Sequence, residues 1–182
     1  MKSRMIFIAV ILCSAFLMAC IRYSVSPPDK TVNLNDTFSV DIKLNNCLGP
    51  VEILGVTMPW EYCADTSDVY GVGFDLNYDD TIIEFQSVDI SSSVLSGATV
   101  ATGFRNSATE NGNLVVGISK QGQVAGEEGK GIIATIEFQA IGAGDTDITF
   151  ADPHLLNDQA ESYVGWPFYW ARLRKGSVEV SP

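Results

Sequence analysis

The chain has 182 residues, 46% of them hydrophobic and 18% charged, with 22 acidic residues against 11 basic ones and a formal net charge of −11. That length suits one well-cored domain and is short for two. The acidic balance excludes a nucleic-acid partner, because phosphate backbones would be repelled.

Residues 1–19 stand apart. Lys2 and Arg4 make a basic start, residues 5–18 are an almost unbroken apolar run, and Ala19 and Cys20 close it. The run is too short for a good membrane span and reads as an export signal. Its ending, Leu17-Met18-Ala19-Cys20, resembles a bacterial lipobox, which implies cleavage before Cys20 and acylation of its sulfur. A cut after Ala15 is the alternative; it would leave three cysteines outside the cell, whereas acylating Cys20 leaves the pair Cys47 and Cys63. The reading is a secreted lipoprotein on the outer face of a bacterial membrane, at the cell surface or in the periplasm. Without Lys2 and Arg4, nine basic residues face 22 acidic ones, a formal charge of −13. Membrane attachment is therefore expected from the acyl group and not from a basic face. Residues 20–24 are expected to be the acylated cysteine and a short tether, reaching about 14 Å at about 3.5 Å per residue, with the domain starting at Val25.

From Val25 onward the apolar pattern has period two, broken by turn residues, and no stretch shows helical spacing. "TFSVDIKL" puts Phe38, Val40, Ile42 and Leu44 on one face and Ser39, Asp41 and Lys43 on the other. An apolar segment follows, 47–63, bracketed by Cys47 and Cys63 and containing Ile53, Leu54 and Trp60. In an oxidising compartment the two cysteines can pair and contribute about 3 kcal/mol by constraining the unfolded chain. "VEILGV" within it reads as a short added strand, and Trp60 is expected to pack on the body of the domain. "VGFDLNY" turns Val72, Phe74, Leu76 and Tyr78 inward, and "NLVVGIS" does the same with Leu114, Val116 and Ile118. In "GIIATIEFQA", alternation puts Ile132, Ala134, Ile136 and Phe138 inside and Ile133, Thr135, Glu137 and Gln139 outside. Further strands are expected near residues 84–90, 100–105, 147–150 and 177–180, with turns at "ENGN" and "GAGD". Short antiparallel strands with one apolar face each must pack as two sheets, so the predicted fold is an all-β sandwich, a jelly roll of about nine strands.

Catalytic signatures are absent from the sequence. The single histidine, His154, has only Asp152 and Asp158 near it and reads as a turn residue after a proline, not a metal ligand. Asp79, Asp80 and Glu84, like Asp145 and Asp147, read as turn and solubility residues. No nucleophile elbow, phosphate loop or calcium loop occurs, so no enzyme activity and no cofactor or metal in this chain are expected. The segment 162–175 gathers Tyr163, Trp166, Phe168, Tyr169 and Trp170 beside Arg172, Arg174 and Lys175. Its aromatics can close one end of a sandwich, stack on sugars, or lie at a membrane interface.

The runs "TFSVDIKLNN", "GVGFDLNYDDTIIEFQSVDI", "GKGIIATIEFQAIGAGDTDITFADPHLLND" and "GSVEVSP" resemble the cohesin domain, from about Val25 to Pro182. The most specific pieces are Phe74-x-Leu76-x-Tyr78-Asp79 and the stretch from Gly131 to Ile136. The resemblance implies a nine-stranded jelly roll that binds a calcium-loaded dockerin on another protein, the calcium belonging to the dockerin. It makes 47–63 an insertion, and it places partner contacts on one outward row: Gly71, Gly73, Asp75 and Asn77, then Val115, Gly117 and Ser119, with Lys120 and Gln121 following. Gly71 and Gly73 stand where type I members carry polar residues, and Lys120 where an acidic one is common.

The expected function is a non-catalytic, surface-anchored receptor for a dockerin-bearing or other extracytoplasmic protein, in polysaccharide degradation or envelope assembly. One alternative is a carbohydrate-binding module using Trp60, Trp166, Tyr169 and Trp170 on a polysaccharide. Another is a structural envelope lipoprotein.

Overall fold

The computed structural model describes residues 20–45, 47–48, 51–53, 56–58, 62–63, 68–95, 97–105, 112–163 and 170–182. Among these, strands and turns occur and no helix does. In chain order the strands are β1 (Cys20–Ser26), β2 (Asp29–Asn33), β3 (Thr37–Asn45), β4 (Cys47–Leu48), β5 (Val51–Ile53), β6 (Val56–Met58), β7 (Tyr62–Cys63) and β8 (Gly71–Asn77). They continue with β9 (Ile83–Asp89), β10 (Thr99–Arg105), β11 (Asn113–Ser119), β12 (Gly131–Ala140), β13 (Gly144–Leu156), β14 (Trp170–Arg174) and β15 (Gly176–Ser181).

Five strands form one sheet in the order β14-β1-β3-β12-β9, and six form a second in the order β10-β11-β8-β13-β15-β2. The fold is the all-β jelly-roll sandwich expected, with eleven strands in its two sheets instead of about nine. The surplus lies at the termini. Pro27 and Pro28 have no backbone N–H to give a ladder, so the N-terminal stretch is divided there: β1 stays in one sheet and β2 crosses to the other. β1 pairs in parallel with β14, and β2 in parallel with β15.

Two sequence-based expectations are corrected by this arrangement. Residues 20–24 are not a tether: β1 begins at Cys20, and Ile21 and Tyr23 are fully buried, alternating with half-buried Arg22 and Ser24. Among the described residues, strand structure therefore reaches back to the cysteine itself. Ile133 is not outward either. The β3–β12 register slips between Ile132 and Ala134, so Ile133 and Ala134 are both buried while Ile132 is half exposed. One extra residue in a strand reverses the parity of everything before it, which strict alternation cannot anticipate.

Inside, the two apolar faces interdigitate around aromatic clusters. Tyr23, Phe74 and Phe150 have ring centroids 5.8–6.3 Å apart, and Phe138 meets Phe38, Tyr78 and Phe85 at 5.2–6.4 Å. Edge-to-face pairs of this kind add to the apolar burial. The buried Tyr23 hydroxyl donates to the His154 carbonyl at 2.7 Å, linking β1 of one sheet to β13 of the other. Burial pushes that phenol well above its usual range. Tyr78 is pushed up to about 12, by burial first and then by the Asp80 and Glu84 carboxylates.

The insertion between β3 and β8 is a hairpin within a hairpin. β4 pairs antiparallel with β7, and β5 pairs antiparallel with β6 inside it. The expected added strand is thus a two-stranded ribbon. Leu54 and Trp60 lie outside the described residues, so the expectation for Trp60 does too.

Candidate functional site

The outward row named from sequence occupies two neighbouring strands, β8 and β11, which β10 and β13 flank in the same sheet. The register aligns it residue by residue. One row across the sheet reads Gly103, Val115, Asp75, Ala151. The next reads Ala101, Gly117, Gly73, His154, and the third Thr99, Ser119, Gly71, Leu156. Asn77 lies opposite Asn113 at one end, where the Asn113 amide donates to the Asn77 Oδ1 at 2.7 Å. Every residue of the predicted row in β8 and β11 therefore falls on one outer face, because Val72, Phe74, Leu76, Leu114, Val116 and Ile118 are all buried on the other.

The face is flat because its centre is built of glycine and alanine. A glycine in a strand interior weakens the strand by roughly 0.5–1 kcal/mol relative to alanine and needs a reason. At Gly112, in the turn before β11, the reason is local: φ is +70° and a Cβ would collide with the Tyr78 carbonyl. On the face no such reason exists. A Cβ would meet nothing nearer than 3.6 Å at Gly71, 3.5 Å at Gly73 and 3.8 Å at Gly117, and nothing at all within 4 Å at Gly103. The fold would accept a Cβ at four positions in three adjacent strands, and the sequence leaves them bare.

Polar groups frame this platform. Asp75 is only 7% exposed at its centre. Lys120, just past β11, does not reach outward: it is 8% exposed, with its ammonium 2.7 Å from the Glu127 carboxylate and its N–H bonded to the Tyr70 carbonyl. Gln121 is exposed on the loop 120–130, which the Tyr70 hydroxyl fastens by donating to the Gly122 carbonyl. Val124 on the same loop is 46% exposed. Beside it, lost hydration and the neighbouring Asp68 carboxyl hold Asp158 above the usual carboxylate range.

His154 belongs to the face, and the expectation of a turn histidine is corrected. The β13–β8 register slips between Ala151 and His154, with Asp152 at φ +45°, and the strand resumes so that His154 stands opposite Gly73. Its Nε2 is 3.3 Å from the Asp152 carboxylate, and its side chain is 55% exposed. Asp-Pro before it looks like a turn in sequence, whereas a bulge inside a long strand depends on the partner strand. Among the described residues, no group of three or more His, Cys, Asp or Glu side chains could hold a metal ion. Trp60, Trp166 and Tyr169 lie outside the described residues; Trp170 is described as part of β14, opposite Cys20.

Comparison with known proteins bears on this geometry. The family profile of the cohesin domain matches residues 23–163, most of the chain. The chain belongs to the cohesin family. Among solved structures, this cohesin is similar to a Clostridium acetobutylicum cohesin crystallised with its dockerin, at 16% identity, a TM-score of 0.58 and coverage of 88% of this chain and 99% of that one. It is also similar to the sixth cohesin of Acetivibrio cellulolyticus scaffoldin B, solved in complex with a Cel5 dockerin mutant, at 14% identity, a TM-score of 0.60 and coverage of 89% and 99%. A non-cellulosomal cohesin from the archaeon Archaeoglobus fulgidus resembles it at 13% identity, a TM-score of 0.57 and coverage of 91% and 92%. No curated protein matches this cohesin.

Proposed function

We propose that this cohesin is a non-catalytic receptor module that captures a calcium-loaded dockerin on the outer face of β10, β11, β8 and β13. The observation that carries the reading is the bare platform: Gly71, Gly73, Gly103 and Gly117 are glycine although their own fold would accept a Cβ at each. Glycine in a strand with nothing close by suits a surface that another backbone or helix must approach. Such a face also orders few long side chains when it is covered, which keeps the entropic cost of binding low. Asn77, Val115, Ser119 and Gln121 would give it polar and apolar contacts, with Asp75 almost buried among them, and His154 would add an exposed imidazole edge. The solved relatives bound to dockerins support the partner class.

The module is read as an exported lipoprotein, acylated at Cys20 and held on the outer face of a bacterial membrane. Calcium in this scheme belongs to the dockerin. Cys47 and Cys63 are read as a disulfide: residues directly opposite in an antiparallel pair have Cα atoms about 4.5–5.5 Å apart, within the range a disulfide spans. The role is assembly, in polysaccharide degradation or at the envelope.

The test is binding of calcium-loaded dockerin domains to the immobilised full chain, with and without chelation. Calcium-dependent capture that Gly117→Trp abolishes is the expected result. Failure of a broad dockerin panel, or capture untouched by Gly117→Trp, would overturn the reading.

A further inference from the structure

The opposite outer face of the sandwich carries a feature of the reverse character. Strands β1, β3 and β14 and the residues just before β12 line a groove of about 740 Å³. Five cationic side chains line it: Arg22, Lys43, Lys130, Arg174 and Lys175. Among the described residues, no carboxylate lines it. These are five of the nine basic residues left after Lys2 and Arg4, in a chain with 22 acidic ones. Two are partly neutralised: Lys43 is 3.7 Å from Asp41 and donates to the Ser26 hydroxyl at 2.8 Å, and Lys175 is 2.6 Å from Asp147. Among the described residues no carboxylate forms an ion pair with the side chains of Arg22, Lys130 or Arg174. Leu173, 41% exposed, adds an apolar contact to the same groove.

We propose that this groove docks on the anionic phosphodiester headgroups of a lipid bilayer and holds the domain with its glycine platform facing away from the membrane. Two features commit the groove to a bilayer rather than to another anion. Cys20 is the first residue of β1 and Arg22 follows two residues on, so the acyl anchor proposed above would start from the strand that carries one of the cations. Opposite Cys20 and Arg22, the parallel register places Trp170 and Arg172 on β14, residue types suited to a membrane interface.

Net charge does not oppose this docking. At physiological salt, charges beyond about 8 Å are largely screened. Two sheets packed about 10 Å apart put the acidic residues of the far side beyond that distance. The surface nearest the membrane decides: the groove lining is cationic, and of the carboxylates on the same sheet Asp41 is paired with Lys43 while Glu137, Glu84 and Asp89 lie on β12 and β9, away from β14 and β1. Each Lys or Arg close to an anionic surface favours association by about five-fold. The three unpaired cations then bias the orientation by about a hundred-fold.

Proximity rests on the anchor at Cys20, and the experiment separates the two. The full chain is reconstituted on vesicles of phosphatidylcholine alone, or with a third of phosphatidylglycerol. Lysine amines are then acetylated with a soluble active ester and read one by one by mass spectrometry. Flotation with pure phosphatidylcholine reports the anchor. Labelling of Lys43, Lys130 and Lys175 should fall by about five-fold or more when phosphatidylglycerol is present, with Lys30 on the other sheet as the unaffected control. High salt, or the double variant Lys130→Glu with Arg174→Glu, should restore it.

Equal labelling in both vesicles overturns the proposal. So does equal protection from inorganic phosphate added to phosphatidylcholine vesicles, which would make the groove a free-anion site. Protection that rises with protein density on phosphatidylcholine would assign it to the acidic surface of a second copy, and equally overturns it. If the chain does not float on phosphatidylcholine, the anchor reading fails, and flotation on phosphatidylglycerol, present in the parent and lost in the double variant, tests the groove directly.

Discussion

The two outer faces of this sandwich share one core and contrast in every other respect. Across β10, β11, β8 and β13 the surface is bare backbone, with Gly103, Gly117 and Gly73 in adjacent strands and Asp75 nearly covered. Across β14, β1 and β3 it is long cationic side chains, Arg174, Arg22 and Lys43, crowded into one groove. Inner faces must all be apolar, so they distinguish one sandwich from another very little. The outer faces are free of that demand, and there the difference between a surface built to be covered closely and one built to meet charge can be read.

The contrast can be broken most severely from the middle. Phe74→Ala empties a shared core position packed against Tyr23 and Phe150, and should destabilise the domain by about 3–5 kcal/mol in chemical denaturation, losing both faces together. Cys47→Ser removes the proposed staple on the insertion and should cost about 3 kcal/mol, matched by adding reductant to the parent protein, with dockerin capture unchanged. A reductant-insensitive parent would show that the pair is not joined.

Substitutions that separate the faces come next. Gly117→Trp should lower dockerin affinity about 100-fold while the unfolding free energy changes by less than about 0.5 kcal/mol, since a Cβ at that site has room. Arg174→Glu with Lys130→Glu should do the reverse, leaving dockerin affinity within about two-fold, because distant sites act independently. The smallest effect belongs to neither face. Asp79 is held below the usual carboxylate range by the Thr81 hydroxyl and N–H, and Asp89 by the Ser91 N–H and hydroxyl. A depressed carboxylate contributes stability that is present above its unfolded value and lost as pH falls through its folded one. Parent and Asp79→Asn with Asp89→Asn should therefore differ slightly in melting temperature at neutral pH and converge as pH falls below the ordinary carboxylate range.

Much of the candidate site was legible because strand alternation is a local property. Once Val72, Phe74 and Leu76 are known to face inward, Gly71, Gly73 and Asp75 must face outward, and the same holds for Val115, Gly117 and Ser119 in β11. That these two sets lie side by side came with the family resemblance, and the β8–β11 register bears it out. His154 was missed because Asp152 and Pro153 imitate a turn, and Ile133 because nothing in "GIIAT" announces an extra residue in the ladder. Lys120 was placed in the right neighbourhood, but its partner, Glu127, is brought to it by a loop that folds back under Tyr70.

By itself the sequence determined the class of fold, the inner and outer faces of the unbulged strands, and the glycine row, because these follow from a period of two and from residue type alone. Only the tertiary structure decided that strand structure reaches back to Cys20, which strands bulge, and that Arg22, Lys43, Lys130 and Arg174, from four separate stretches, converge in one groove. The physical reason is the same in each case: register, bulges and side-chain neighbours across a sheet are set by strands distant in the chain, and a sum of charges carries no record of where they meet.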